Sequence, residues 1–159
     1  GKKAYQLAQS KYFKSDKAKE MRKKWLEKYP GQKIANQMRR NLYSIFRKNN
    51  FKKKGKFIEL VGCDSLFLKN YLEKKFKSGM SWNNYGRGSW SVDHIVPVQY
   101  FIENYDYNEL KTQKICWSYL NLQPLWEKDN ISKSNKISKQ VAEKKIAQIK
   151  KLITGKVFS

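Results

Sequence analysis

Residues 90–97 read WSVDHIVP, and this stretch holds the single histidine of the 159-residue chain, His94, directly after Asp93. Histidine is the side chain whose ordinary pKa suits proton transfer near neutral pH. The adjacent carboxylate is a hard oxygen ligand of the kind that divalent cations prefer. The pair therefore predicts a metal-assisted hydrolytic site, and we place it on a short strand at 89–95 that Pro97 limits.

A second short strand is predicted downstream, where residues 121–126 read NLQPLW. Between the two strands, residues 100–110 are expected to form loop and a short helix. From Glu127 onwards the pattern becomes helical. The expected order of elements is therefore strand, long loop, strand and helix.

Helical periodicity predicts four further helices, at about 15–29, 33–48, 65–77 and 139–153, with Asp64 as the N-cap of the third. In the second of these helices, apolar side chains recur every three to four residues, as one buried face requires: Ile34, Met38, Leu42, Ile45 and Phe46. The run KKKGK that follows, at 52–56, is expected to be a flexible basic linker.

The chain carries a formal net charge of +22, from 35 Lys and Arg against 13 Asp and Glu. About +16 of this charge lies within the first 56 residues. Because neutralising phosphates releases their counterions, such a block predicts a nucleic-acid partner, although a merely solvated basic surface is the alternative. We expect a basic helical DNA-binding arm at 1–56, a core unit at 57–138 and a C-terminal basic helix at 139–159.

Other features exclude several classes of protein. No apolar run approaches the length of a membrane span, and no signal peptide is visible, so a cytoplasmic location is expected, in the host cell if the source is viral. Cys63 and Cys116 are too few for a four-ligand zinc site even with His94. We expect both as reduced thiols, with a disulfide as the alternative.

Together, Asp93-His94, the segment NLQPL at 121–125, Asn130 and Lys133 resemble the HNH nuclease motif. The fold of that family is the ββα-metal finger, and the resemblance covers about 57–136. It implies an α+β fold: a mainly helical chain around a ββα-metal finger, with basic N-terminal helices and a C-terminal helix.

Within that family, the chain resembles in particular the small endonucleases of the homing type found in phages and other large viruses. The segments GMSWNNYG at 79–86 and NLQPLW at 121–126 carry this closer similarity. It implies a viral or mobile-element setting for the protein.

The resemblance also implies a role for each residue of the motif. His94 would be the general base that takes a proton from the attacking water. Asp93 and Asn130 would hold one Mg²⁺ or Mn²⁺ ion, with Asn135 as the rival to Asn130. Asn121 would support the loop and orient His94 by hydrogen bonding.

The chain departs from the family at two positions. Many HNH proteins bind a structural zinc with cysteine pairs, and Trp126 and Asp129 stand where one such pair would fall. We therefore expect no structural zinc and a finger held by apolar packing. The candidates for that packing are Trp117, Tyr119, Leu125 and Trp126.

The function implied is a metal-dependent HNH DNA endonuclease that binds double-stranded DNA, as a monomer or weak homodimer. The alternatives are a nonspecific or RNA-cleaving nuclease of the same fold and a non-catalytic DNA-binding protein. The candidate phosphate contacts are basic side chains near the finger and along the arm: Arg87, Lys133, Lys136, Arg39, Arg40, Arg47, Lys48, Lys52, Lys53 and Lys54.

Overall fold

The computed structural model describes residues 2–29 and 31–155. The first part of the chain is helical: α1 is Lys2–Lys14, α2 Asp16–Lys28, α3 Gly31–Lys48, α4 Phe57–Val61 and α5 Ser65–Glu73. The second part contains β1 at Trp90–His94, α6 at Val98–Asn104, α7 at Leu110–Trp117, β2 at Leu122–Trp126, α8 at Glu127–Lys133 and α9 at Lys139–Gly155. The described residues therefore form a mostly helical α+β fold, as predicted.

The two strands form a small antiparallel sheet. Trp90 lies opposite Trp126 and His94 opposite Leu122, so Asp93 lies opposite Gln123. α8 follows β2 directly and packs against both strands. Successive side chains of a strand point to opposite faces, so Asp93 and His94 leave the sheet on different sides.

Helix α3 belongs to the hydrophobic core. Its buried face includes Ile34, Met38 and Leu42, which join the same apolar cluster as side chains of α5 and α9. The helix begins two residues earlier than predicted, at Gly31, where a Cβ atom would lie 2.2 Å from the carbonyl oxygen of Ser65. Only glycine permits this close approach of α3 to α5. The predicted arm at 1–56 thus includes one helix of the core.

The other two helices of the arm bury no residue. Ser15 caps α2, because its side-chain oxygen accepts a hydrogen bond from the backbone N–H of Ala18 at 3.2 Å. Helix α1 is not among the predicted elements. Pro30, expected to end the helix at 15–29, lies outside the described residues, as do Gly1 of the arm and 156–159 of the C-terminal segment.

The helix predicted at 65–77 is capped by Asp64 as expected, but it ends at Glu73. The early end frees Phe76 to pack against Trp82 and Trp90, with ring centroids 5.0 and 4.8 Å apart. These contacts with rings outside the helix favour the non-helical backbone at Phe76.

The short helix expected within 100–110 is present as α6, and a second helix, α7, which was not predicted, follows it before β2. Helix α7 buries Ile115, Cys116 and Trp117. Its polar Gln113 is also fully buried, and it binds the segment at 52–56: Gln113 Oε1 accepts from the Lys54 backbone N–H at 2.9 Å, and Nε2 donates to the Lys52 carbonyl at 2.8 Å. The predicted flexible linker is therefore held in place, because a buried amide requires partners.

Apolar packing surrounds the sheet. Trp117, Tyr119 and Leu125 are buried, and Trp126 is half-buried. The two cysteines form no disulfide within the described ranges. Among the helices described, none combines the length and the apolar character needed to cross a bilayer.

Candidate active site at the end of the first strand

His94 is the last residue of β1, and its imidazole lies against the ring of Trp117, with centroids 4.6 Å apart and planes at 90°. Its Nε2 atom is buried and has no hydrogen-bond partner among the described residues. Buried polar atoms are nearly always hydrogen-bonded, and exceptions often mark functional groups. The orphaned nitrogen makes His94 the leading candidate for chemistry in this fold.

The environment keeps this imidazole neutral. Burial lowers the pKa of His94 to about 4, the Asp93 carboxylate acts in the opposite direction, and the positive charge of Lys133 lowers the pKa further. Since the charged form of histidine loses hydration when it is buried, neutral imidazole predominates at physiological pH. A neutral imidazole has a lone pair available and can act as a general base.

The lowered pKa predicts a pH-dependent loss of stability. The unfolded chain, with an ordinary His94 pKa of 6.5, binds more protons than the folded chain between pH 6.5 and about 4. The free energy of unfolding is therefore highest above pH 6.5 and decreases as the pH falls towards 4. We expect it to decrease by about 2 kcal/mol between pH 7.5 and pH 5. Urea unfolding of the wild type and of His94→Gln at both pH values measures the difference, and equal pH dependence of the two proteins would contradict it.

Asn121 holds the backbone that follows His94. Its side chain is fully buried, with Oδ1 accepting from the Val96 N–H at 2.9 Å and Nδ2 donating to the carbonyls of Val96 at 3.1 Å and Cys116 at 2.9 Å. The Asn121 carbonyl also accepts from the Ile95 N–H at 2.7 Å. Asn121 therefore fixes the turn after the strand through the backbone, and its side-chain bonds do not include the imidazole of His94 that we expected.

The Asp93 carboxylate is paired with a cationic side chain. Its Oδ2 accepts hydrogen bonds from Lys133 Nζ at 2.6 Å and from Gln123 Nε2 at 3.0 Å. The ion pair is largely buried, with the side chains of Asp93 and Lys133 14% and 20% exposed. Lys133 also donates to the carbonyl oxygen of His94. The charge of the Asp93 carboxylate is thus balanced by the ammonium group of Lys133.

This contact bears on whether the residues fit a divalent cation. Within 2–29 and 31–155, no three or more His, Cys, Asp and Glu side chains form a cluster that could hold a metal ion. Mg²⁺, however, is commonly held by one or two carboxylates together with waters and substrate phosphates. Asp93 supplies one such carboxylate: Lys133 and Gln123 both donate to its Oδ2, so Oδ1 is the oxygen that would be left for a cation.

Asn130, the predicted second ligand, lies one helical turn before Lys133 on α8. It lines a cavity of about 420 Å³ together with Ser91 and Val92 of β1. In the part of the chain that the structure describes, no hydrogen bond joins Asn130 to Asp93. The rival candidate, Asn135, follows α8 and is exposed. The structure thus brings Lys133 directly to Asp93 and places Asn130 beside the same strand.

The predicted phosphate contacts separate into groups. Arg40 and Arg87 line the cavity that contains Asn130. Arg39 is turned away from that cavity, stacks 4.8 Å from the ring centre of Phe57 and donates to Asn36 at 3.0 Å. The remaining basic candidates lie on the surface of the molecule outside this cavity, with Lys53 half-buried and the others exposed: Arg47, Lys48, Lys52, Lys53, Lys54 and Lys136. Of the four arginines predicted as phosphate contacts, Arg40 and Arg87 therefore share one cavity with Asn130.

Sequence reasoning missed the contribution of Asn41 and Ser44 of α3 to the site. Asn41 and Ser44, both exposed, line a second cavity of about 270 Å³ together with His94 and Trp117. Their spacing along a helix places them on one face. The spacing of Asn41 and Ser44 could be seen in the sequence, but the sequence does not indicate that this face of α3 lies opposite β1.

Comparison with known proteins identifies relatives without a described activity. No family model matches the chain, and no solved structure matches it. A protein of Acanthamoeba polyphaga mimivirus described as uncharacterized is 31% identical over 100 residues, which are 63% of this chain and 41% of the relative. A second uncharacterized protein of the same virus is 30% identical over 104 residues, 65% of this chain and 42% of the relative. The chain is thus similar to parts of two viral proteins and spans about two fifths of the length of each.

Proposed function

We propose that the protein is a metal-dependent DNA endonuclease of the HNH type, with His94 as its general base. The observation that carries this proposal is the buried, unpartnered Nε2 of His94 at the end of β1, on the residue that directly follows Asp93 in the chain. A base and a cation-binding carboxylate on adjacent residues are the groups that hydrolysis of a phosphodiester requires.

The surroundings of His94 support a role as a base. The imidazole is neutral at physiological pH because burial lowers its pKa. The ring of Trp117 restricts its position on one side, and the turn that Asn121 holds restricts its backbone on the other. A base that is neutral and held in one orientation does not need to reorganise when it takes a proton from water.

Asp93 would hold the cation, and Asn130 or substrate phosphate would complete its coordination. When bound, a divalent cation polarises the scissile phosphate and stabilises the leaving oxygen. Gln123 keeps Asp93 oriented through its hydrogen bond to Oδ2, across the strand pair.

The charge distribution supports a polyanionic substrate. The net charge of +22 and the excess of basic residues in the first 56 positions favour nucleic acid, since phosphates are neutralised with release of counterions. Contacts to phosphate orient a duplex without reading its sequence. We propose double-stranded DNA as the substrate, with single-strand nicking by each monomer.

A supercoiled plasmid tests the proposal. The wild type is expected to nick it in Mg²⁺ or Mn²⁺ and to lose this activity in excess chelator. Binding without cleavage under every metal condition would support the non-catalytic alternative. Faster cleavage of a matched RNA duplex than of the DNA duplex would support an RNA-cleaving nuclease instead.

The ligand assignment makes a separate prediction. Asp93→Asn is expected to raise the Mn²⁺ concentration needed for half-maximal cleavage at least about tenfold, because a neutral amide is a weaker ligand than a carboxylate. Asn130→Ala is expected to shift the same metal titration more than Asn135→Ala, which serves as its matched control. The reverse order for the two asparagines would move the second ligand to Asn135.

A further inference from the structure

His94, the proposed general base, lines a cleft whose opposite wall is formed by α3. On the His94 side, Asn41 and Ser44 of α3 line a cavity of about 270 Å³. On the Asn130 side, the cavity of about 420 Å³ is lined from α3 by Lys33, Gln37, Arg40 and Asn41. Met38, Asn41 and Val92 line both cavities, so the two adjoin. We call these two adjoining cavities, which extend from His94 to Arg87, the α3–β1 cleft.

A chain of hydrogen bonds orders the α3 edge of this cleft. Arg40 Nη2 donates to Gln37 Oε1 at 2.6 Å, and Gln37 Nε2 donates to Asn41 Oδ1 at 3.1 Å. Because the Asn41 oxygen accepts from Gln37, its Nδ2 group remains as a donor, and so do the other N–H groups of Arg40. The edge therefore presents donors that are held in place, which is what phosphate oxygens require.

The charge of the cleft is also unbalanced. Lys33, Arg40 and Arg87 line it, and none of the three forms an ion pair within the described ranges. Glu127 of α8 lines the same cavity and would repel an anion placed near it. An anionic ligand is therefore favoured on the α3 side of the cleft.

We propose that the edge of α3 formed by Gln37, Arg40 and Asn41 binds the sugar–phosphate backbone of the strand that is cut. Arg40 and Arg87 would bind the phosphate next to the scissile one, while Asn41 would contact the backbone where the cleft reaches His94. Gln37 is a positioning residue, because it acts by orienting both Arg40 and Asn41. The inference rests on the proposed function for the identity of the substrate, and it assigns α3 to substrate binding as well as to the core.

Binding measured in the absence of divalent metal tests this assignment. The probe is a fluorescein-labelled 30-base-pair DNA duplex, followed by anisotropy over a range of salt concentrations. Arg40→Ala is compared with Arg47→Ala, which removes the same charge from an exposed position of the same helix outside the cleft. We expect Arg47→Ala to weaken binding up to about threefold and Arg40→Ala about tenfold or more, with the salt slope reduced by about one.

Asn41→Ala removes donors without changing the net charge, so it is expected to weaken binding about threefold or more at an unchanged salt slope. Gln37→Ala is expected to weaken binding although Gln37 carries no charge, because Arg40 and Asn41 lose their common partner. Equal affinities for Arg40→Ala and Arg47→Ala, together with wild-type affinity for Asn41→Ala, would overturn the assignment.

The binding test of the α3–β1 cleft and the cleavage test of the proposed function can fail independently. If the wild type cleaves DNA but Arg40→Ala binds like Arg47→Ala, the nuclease proposal stands and α3 is not its substrate wall. If the wild type does not cleave and the binding difference persists, the cleft binds nucleic acid without catalysis. Circular dichroism melting of each variant shows that the fold is retained, because Gln37, Arg40 and Asn41 lie outside the buried face of α3.

Discussion

Replacing His94 with alanine is expected to lower the rate of metal-dependent plasmid nicking by about 10²–10⁴-fold, the usual contribution of a general base. DNA affinity is expected to remain at the wild-type level, because His94 is neutral and carries no charge to the phosphates. Single-turnover cleavage and anisotropy binding, measured on the same preparations, check the two parts of this result.

Two further measurements separate chemistry from structure at His94. His94→Gln fills similar space but cannot act as a base near neutral pH, so it is expected to be as inactive as His94→Ala. Added imidazole is expected to restore part of the activity of His94→Ala, since a cavity of about 270 Å³ adjoins the position. Cleavage by His94→Gln at the wild-type rate would assign the base to another group.

Replacing Asn121 with alanine is expected to destabilise the fold by at least about 3 kcal/mol, because each buried polar group left without a partner costs about 1–3 kcal/mol. The substitution would remove the hydrogen-bond partner of three such groups: the N–H and carbonyl of Val96 and the carbonyl of Cys116. Urea unfolding followed by circular dichroism gives the change in the free energy of unfolding.

Asn70→Ala is the matched control for this experiment. Asn70 lies on α5, is exposed, and makes no side-chain hydrogen bond within the described residues. Its replacement is expected to change stability by less than about 0.5 kcal/mol. If Asn121→Ala were as stable as this control, the turn after His94 would not depend on the Asn121 side chain.

The success of the sequence predictions followed the strength of the local signals. Helix α2, the Asp64 cap and the buried face of α3 were all predicted from short-range patterns, and the structure has them. The predicted end of α5 was wrong, and the rings that Phe76 contacts beyond the helix, Trp82 and Trp90, lie outside it. A pattern within one helix does not contain that interaction.

The candidate site likewise combines features that the sequence predicts with contacts that only the folded chain creates. The adjacent positions of Asp93 and His94, and the placement of Asn121 where the second strand begins, could be predicted from the sequence. The ion pair between Asp93 and Lys133 could not, because it joins residues forty positions apart. The lowered pKa of His94 depends likewise on burial against Trp117, which only folding creates.

The amino-acid sequence determined which chemical groups the protein has and which elements carry them: a base and a carboxylate on a short strand, a core face on α3 and a large excess of positive charge. Such features arise from composition and from spacing along one element. Only the tertiary structure decided which side of α3 faces β1, and so placed Arg40 and Asn41 in one cleft with His94 and left Arg39 outside it. The reason is physical: a helix offers several polar faces, and packing of its apolar face against the rest of the core selects the one that borders the site.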